Sequence, residues 1–128
     1  EALKFNAHNS GVTAITFSPD GRYIISGHTD GTIIIFDFQA RNEVSKVKIH
    51  EGWIWAMVFS PDGNYVVSAD IEWNVLIWDF QARTIKCVLD KPKHTISFLD
   101  FSADGMFVIG HSSQHGIDIW SAQTGKLV

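Results

Sequence analysis

The sequence is short of most things that would point to chemistry or to membranes. Cys87 is the one cysteine in 128 residues. No disulfide can form within the chain, and a reducing intracellular compartment, cytoplasm or nucleus, is expected. No apolar run approaches the roughly 20 residues of a membrane-spanning helix. No basic stretch leading into an apolar core marks a secretory signal. The chain begins at Glu1 rather than at methionine, as a processed or excised piece would. Basic residues are the minority: ten Lys and Arg against 14 Asp and Glu leave a net charge of −4. Those ten are scattered along the sequence, so neither nucleic acid nor a membrane surface is an expected partner. No segment carries a 3.6-residue apolar period with helix caps. The glycines sit in turns, and no loop of the phosphate-cradling kind is present.

What the sequence does have is a repeat. Phe59-Ser60-Pro61-Asp62-Gly63 ends an apolar run with a tight turn, in which Pro61 presets φ and Gly63 relieves the exit. It recurs at a spacing of 42 residues, as Phe17-Ser18-Pro19-Asp20-Gly21 before it and Phe101-Ser102-Ala103-Asp104-Gly105 after it. A second element keeps step: Phe36-Asp37, Trp78-Asp79 and Trp120-Ser121. Between these marks lie short β-branched runs, four to a period, separated by turn residues. This predicts up-and-down antiparallel sheets, one per repeat.

The pattern resembles the WD-repeat β-propeller family, over essentially the whole chain. The resemblance implies an all-β fold of three four-stranded antiparallel blades, forming an incomplete ring. Residues 1–8 would be the outer strand of a preceding blade. Residues 9–50 and 51–92 would form blades one and two, and residues 93–128 blade three with a truncated outer strand. The family links a His, a Ser, a turn carboxylate and a Trp by hydrogen bonds. Carried onto this chain, that network uses His8, Ser26 and Asp30 in the first repeat, with Phe36 in place of the Trp. In the second it uses His50, Ser68, Glu72 and Trp78. The third retains Trp120 alone, with Pro92, Gly110 and Gln114 at the other three positions.

Closed propellers have typically four to eight blades, and a three-blade arc would leave two apolar faces bare. Three explanations stay open: a fragment of a larger propeller, a portion of a longer protein, or two copies making six blades. The expected partners are therefore other proteins, the remaining blades, or a second copy of the chain.

Catalysis is not expected. Ser26, His8 and Asp30 could be drawn as a triad, but the resemblance makes them scaffold, and no nucleophile elbow presents the serine. No cofactor is implied. His28, His111 and His115 could share a rim, but their spacing matches no metal site. An alternative, ligand-binding or enzymatic propeller would use the channel mouth through Asp70, His28 and Trp55. The sharper signal lies in the second repeat. Trp53, Trp55, Ile71 and Trp73 stand where the sister repeats have Gly11, Thr13, Thr29 and Gly31, or Thr95, Ser97, Ser113 and His115. A rim cluster of this kind is the signature of a protein-interaction hot spot. The function expected is a non-catalytic interaction scaffold in a larger propeller or multiprotein assembly, or else a purely architectural segment.

Overall fold

The computed structural model describes residues 11–112 and 114–128; His8 and the strand expected near the start of the chain lie outside them. The described residues are all β, in three antiparallel sheets with no helix. The first holds β1 (Val12–Phe17), β2 (Tyr23–His28), β3 (Thr32–Asp37) and β4 (Asn42–Lys48), paired in chain order. The second repeats it with β5 (Ile54–Phe59), β6 (Tyr65–Asp70), β7 (Val75–Asp79) and β8 (Thr84–Val88). The third has three strands, β9 (Phe98–Phe101), β10 (Phe107–Ser112) and β11 (Gly116–Ser121). Leu127 bridges to Trp120 at its outer edge. The leading strands β1, β5 and β9 are neighbours, which sets the three sheets side by side.

The turns that mark the repeat depend on Ser and Asp more than on Pro. Ser18 Oγ donates to Asp20 Oδ1 at 2.6 Å and accepts from Tyr23 N at 2.9 Å. Ser60 with Asp62, and Ser102 with Asp104, do the same. The third turn closes with Ala103 in place of proline. The serine hydroxyl holds all three Asp carboxyls below the usual carboxylate range, with a backbone N–H as the next cause.

The core is built between sheets. Along β6, Val66 packs toward the first sheet and Val67 toward the third; along β7, Trp78 and Ile77 divide in the same way. One cluster joins Ile25, Ile33 and Ile35 to Ile54, Met57, Phe59 and Trp78. The other joins Val67, Val75 and Ile77 to Ile96, Leu99, Val108 and Trp120. The period-two alternation of a strand thus places apolar residues on both faces, and each face needs a neighbouring sheet. The two outermost faces keep the same residue types without the cover. Val12, Ile15 and Phe17 of β1 are exposed where Ile54, Met57 and Phe59 of β5 are buried. Ile117 is 69% exposed where Val75 is fully buried.

One turn ties the first sheet to the second. Gly31 has φ +84°, and its carbonyl accepts from the N–H groups of Ile49 and His50. A Cβ at residue 31 would lie 1.8 Å from the His50 carbonyl oxygen, so the close approach excludes any side chain. Gly31→Ala is expected to cost about 2–3 kcal/mol, from left-handed strain plus displacement of the His50 backbone. Urea denaturation of the variant against the parent measures it.

Candidate functional site

The second sheet carries a hydrogen-bonded core beneath its rim. Ser68 and Asp70 are two residues apart on β6, so they share a face, and both reach His50. His50 Nδ1 lies 2.8 Å from Asp70 Oδ2, and Nε2 lies 2.7 Å from Ser68 Oγ. All three side chains are buried. Burial pushes the His50 pKa below its ordinary value, against the opposing pull of Asp70. The neutral ring therefore has one tautomer available to it: a carboxylate only accepts, so Nδ1–H donates to Asp70 and Nε2 accepts from the Ser68 hydroxyl.

The carboxylate of this network is Asp70, not the expected Glu72. A 42-residue offset pairs Glu72 with Asp30, but Glu72 is exposed and contributes its backbone N–H to Asp70 Oδ1 at 2.9 Å. Asp70 also accepts from the Asn74 backbone and side chain, so one buried carboxylate organises the whole β6–β7 turn. The last expected link, from Trp78 to Ser68, is not made. Trp78 Nε1 is buried with no hydrogen-bond partner among the described residues. Asp30 bonds locally, accepting from Thr32 N, and Ser26 Oγ meets Nε2 of His28 at 2.8 Å. In the third sheet Trp120 Nε1 donates to the Asp90 carbonyl at 2.8 Å. Gly110 leaves the space that its ring fills, since a Cβ there would sit 3.0 Å from Trp120 Cζ3.

Of the channel-mouth set in the alternative reading, Trp55 is partly exposed. His28 and Asp70 are buried and spent on internal hydrogen bonds. Among the described residues no group of three His, Cys, Asp or Glu side chains is placed to hold a metal ion.

The four apolar residues singled out on the rim are between 39% and 45% exposed. Ile71 N donates to Trp53 O at 2.9 Å, which holds the loop before β5 against the β6–β7 turn. Thr29 N and Gly11 O make the same bond in the first sheet, but there the side chains are small. Trp55 occupies a β-bulge: Ile54 pairs with Asp70 and Ala56 with Ala69, which leaves Trp55 unpaired in the ladder. Thr13 sits in the matching bulge of β1, and its hydroxyl caps the Gly27 carbonyl at 3.1 Å. Trp55 has no such group, and its ring projects to solvent. The bulge, which recurs at Thr13, is the feature that sequence reading missed.

Trp73 is the least ordinary of the four. Its φ is +73°, a conformation rare for an aromatic residue. Trp73 N donates to Asp70 O at 3.1 Å, closing the turn, and its indole N–H donates to Thr95 Oγ1 at 3.1 Å. The room for its ring has a cause in the sequence. In the first repeat His50 N bonds back onto Gly31. The matching residue is Pro92, which has no N–H to give. The segment turns away instead, with Asp90 N donating to Gly125 O.

Two predictions follow from the buried network. Asp70→Asn is expected to cost about 2 kcal/mol, the scale of a hydrogen bond to a charged group, whereas Glu72→Gln stays within about 0.5 kcal/mol; chemical denaturation separates them. The second concerns pH. The unfolded chain protonates this imidazole near its ordinary value of 6.5, while the folded chain holds it neutral to lower pH. Stability should therefore fall as pH drops through about 6.5, until the folded ring is itself protonated. In His50→Gln this contribution to the slope disappears, which urea midpoints between pH 7.5 and 5.5 would show.

Comparison with known proteins agrees with this architecture. The family model described as WD domain, G-beta repeat matches residues 2–37 and 41–79. None of the curated proteins matches the chain. Among solved structures 1249 chains match, so the likeness defines a fold and not one relative. One of them is the crystal structure of the computationally designed Ika4 protein. It is 26% identical with a TM-score of 0.84, covering 100% of this chain and 76% of that one. With more than half of the sequence matched by the family model and the three-sheet arrangement in place, the chain belongs to the WD-repeat family of β-propellers.

Proposed function

We propose that this protein is a non-catalytic interaction scaffold, part of a larger propeller or multiprotein assembly, and that it holds a protein partner at the rim of its second sheet. The observation that carries this reading is the exposure of Trp53, Trp55, Ile71 and Trp73 at positions that the first sheet fills with Gly11, Thr13, Thr29 and Gly31. Three part-exposed indoles leave apolar area that a partner can cover, and rigid aromatic side chains dominate the energetics of interfaces. The turn beneath them is pinned by Asp70, so little ordering entropy remains to be lost on binding.

The bare outer faces support membership of a larger ring. Ile117 and Ile119 stand where Val75 and Ile77 are covered, and Val12, Ile15 and Phe17 where Ile54, Met57 and Phe59 are. Further blades, from a longer chain or from a second copy, would bury both. Cys87, free and half-buried, suits a reducing intracellular setting.

Trp73→Gly is the discriminating substitution, because glycine is what the first sheet uses at this turn position. Stability should hold or rise by up to about 1 kcal/mol as the strain is relieved. Partner affinity should drop by about 2 kcal/mol, roughly 30-fold. Thermal melting together with quantitative affinity capture from a native extract reads both. A variant that melts early with its partner still bound would make Trp73 a core residue and not a contact.

A further inference from the structure

The cations that look scattered along the sequence are not evenly distributed on the molecule. Arg22 pairs with Asp37, Lys48 with Glu51 and Lys126 with Asp90. Arg41, Arg83 and Lys86 lie over the rings of Phe38, Phe80 and Tyr65. Among the described residues this leaves Lys46, Lys91 and Lys93 with neither an acidic nor an aromatic partner. Two of the three stand together on the Lys91-Pro92-Lys93-His94 segment, which Pro92 diverts from the turn of Trp73.

That diversion opens a cavity of about 310 Å³ between the second and third sheets, lined by Trp73, Lys93, His94, Thr95, Gln114 and His115, with Ser112 at its wall. Trp73 is the one apolar ring in an otherwise polar lining. The His94 and His115 rings stack at 4.7 Å with an interplanar angle of 12°. His94 Nδ1 is 3.2 Å from the Thr95 carbonyl, and Nε2 is 3.0 Å from Asp118 Oδ2. The two ring nitrogens thus face a carbonyl oxygen and a carboxylate oxygen. Asp118 replaces the aliphatic Ile34 and Leu76 of the sister strands; it lies 3.0 Å from His94 Nε2 and lines an adjoining cavity with Lys91 and Lys93, without forming an ion pair with either. Glu72, exposed in the turn of Trp73, does not line the cavity. Ser112 Oγ is buried and has no hydrogen-bond partner among the described residues.

From this juxtaposition we infer that the rim site is selective for an acidic segment of a partner protein, with an apolar side chain against Trp73 and neighbouring Asp or Glu carboxylates on Lys93 and on Lys91, which lines the adjoining cavity with it. This rests on the interaction-scaffold reading and adds the chemistry of the partner to it. Charge complementarity carries the choice: Lys93, with no acidic partner, lines the cavity beside Trp73, and Lys91, also with none, lines the adjoining cavity with Lys93. A basic or neutral segment would meet Lys91 and Lys93 without compensation.

The test uses the protein in its full natural chain and three acetylated, amidated, fluorescein-labelled peptides of one design: Glu-Glu-Leu-Phe-Glu-Glu, its Gln-for-Glu counterpart and its Lys-for-Glu counterpart. Fluorescence anisotropy at low and at 0.5 M salt should show the acidic peptide binding at least tenfold more tightly than the neutral one at low salt. That margin should shrink at high salt, and the basic peptide should not bind. Reversing Lys91 and Lys93 together (K91E, K93E), at exposed positions without structural partners, should abolish the preference for the acidic peptide. Equal binding of acidic and neutral peptides would overturn the inference, as would a preference that survives the double reversal. So would displacement of the acidic peptide by millimolar inorganic phosphate alone, which would reduce the site to one for small anions. If no peptide discriminates while Trp73→Gly still releases the native partner, the scaffold reading stands and the acidic chemistry falls. If Trp73→Gly releases nothing, the scaffold reading itself fails.

Discussion

A strand such as β7 has apolar side chains on both of its faces, so the sheet that contains it has no solvent side of its own. Val66 and Trp78 are covered by the first sheet, and Val67 and Ile77 by the third. The hydrophobic term grows with apolar area removed from water, at about 25 cal/mol per Å², and nearly all of that area lies between sheets rather than within one. The side-by-side stacking of β1, β5 and β9, the indifference of the turns to proline and the bare faces at either end are consequences of this. The repeat is a unit of interface more than a unit of fold.

Within that frame, local chemistry was legible where it depended on neighbouring residues. The Ser-x-Asp-Gly turns and the strands after them followed from the residues in place, because a serine hydroxyl and a carboxylate two residues apart find each other whatever the rest of the chain does. The buried network was legible only in part. Aligning by a constant spacing selected Glu72, whereas the hydrogen bond is decided by which side of β6 a residue occupies, and Ser68 and Asp70 share that side. Strand parity was the better guide, and it was available in the sequence. Other features could not be read so directly. The bulge at Trp55 depends on which carbonyls across the ladder lack a partner. The Trp78 indole N–H finds no acceptor among the described residues, although the Ser68 oxygen keeps lone pairs after its proton goes to His50.

The rim shows how a single imino acid propagates. At the residue matching His50, Pro92 has no N–H, so the bond that clamps the first turn cannot be repeated over the second. Without that clamp there is space for a side chain, and Trp73 occupies it at the cost of a left-handed backbone. Such strain is on the order of 1–3 kcal/mol and persists only where surrounding bonds impose it. Asp70 imposes it here through Glu72 N, Asn74 N and the Asn74 amide, and is itself anchored to buried His50.

The third sheet completes the divergence. With Pro92, Gly110 and Gln114 it cannot form the His–Ser–carboxylate network, and its Trp120 indole turns to the Asp90 carbonyl instead. Relieved of that internal duty, the polar residues of the third repeat move outward: His94 to Asp118, His115 onto His94, Lys93 to the cavity edge. Loss of the buried network in one repeat and gain of the strained tryptophan in its neighbour therefore meet at the same place. The join between the second and third sheets has given up symmetry on both sides, while the join between the first and second retains the close Gly31–His50 contact. What the structure places at the join of the second and third sheets is Trp73 and Lys93 around one cavity, with Lys91 and Asp118 lining the next.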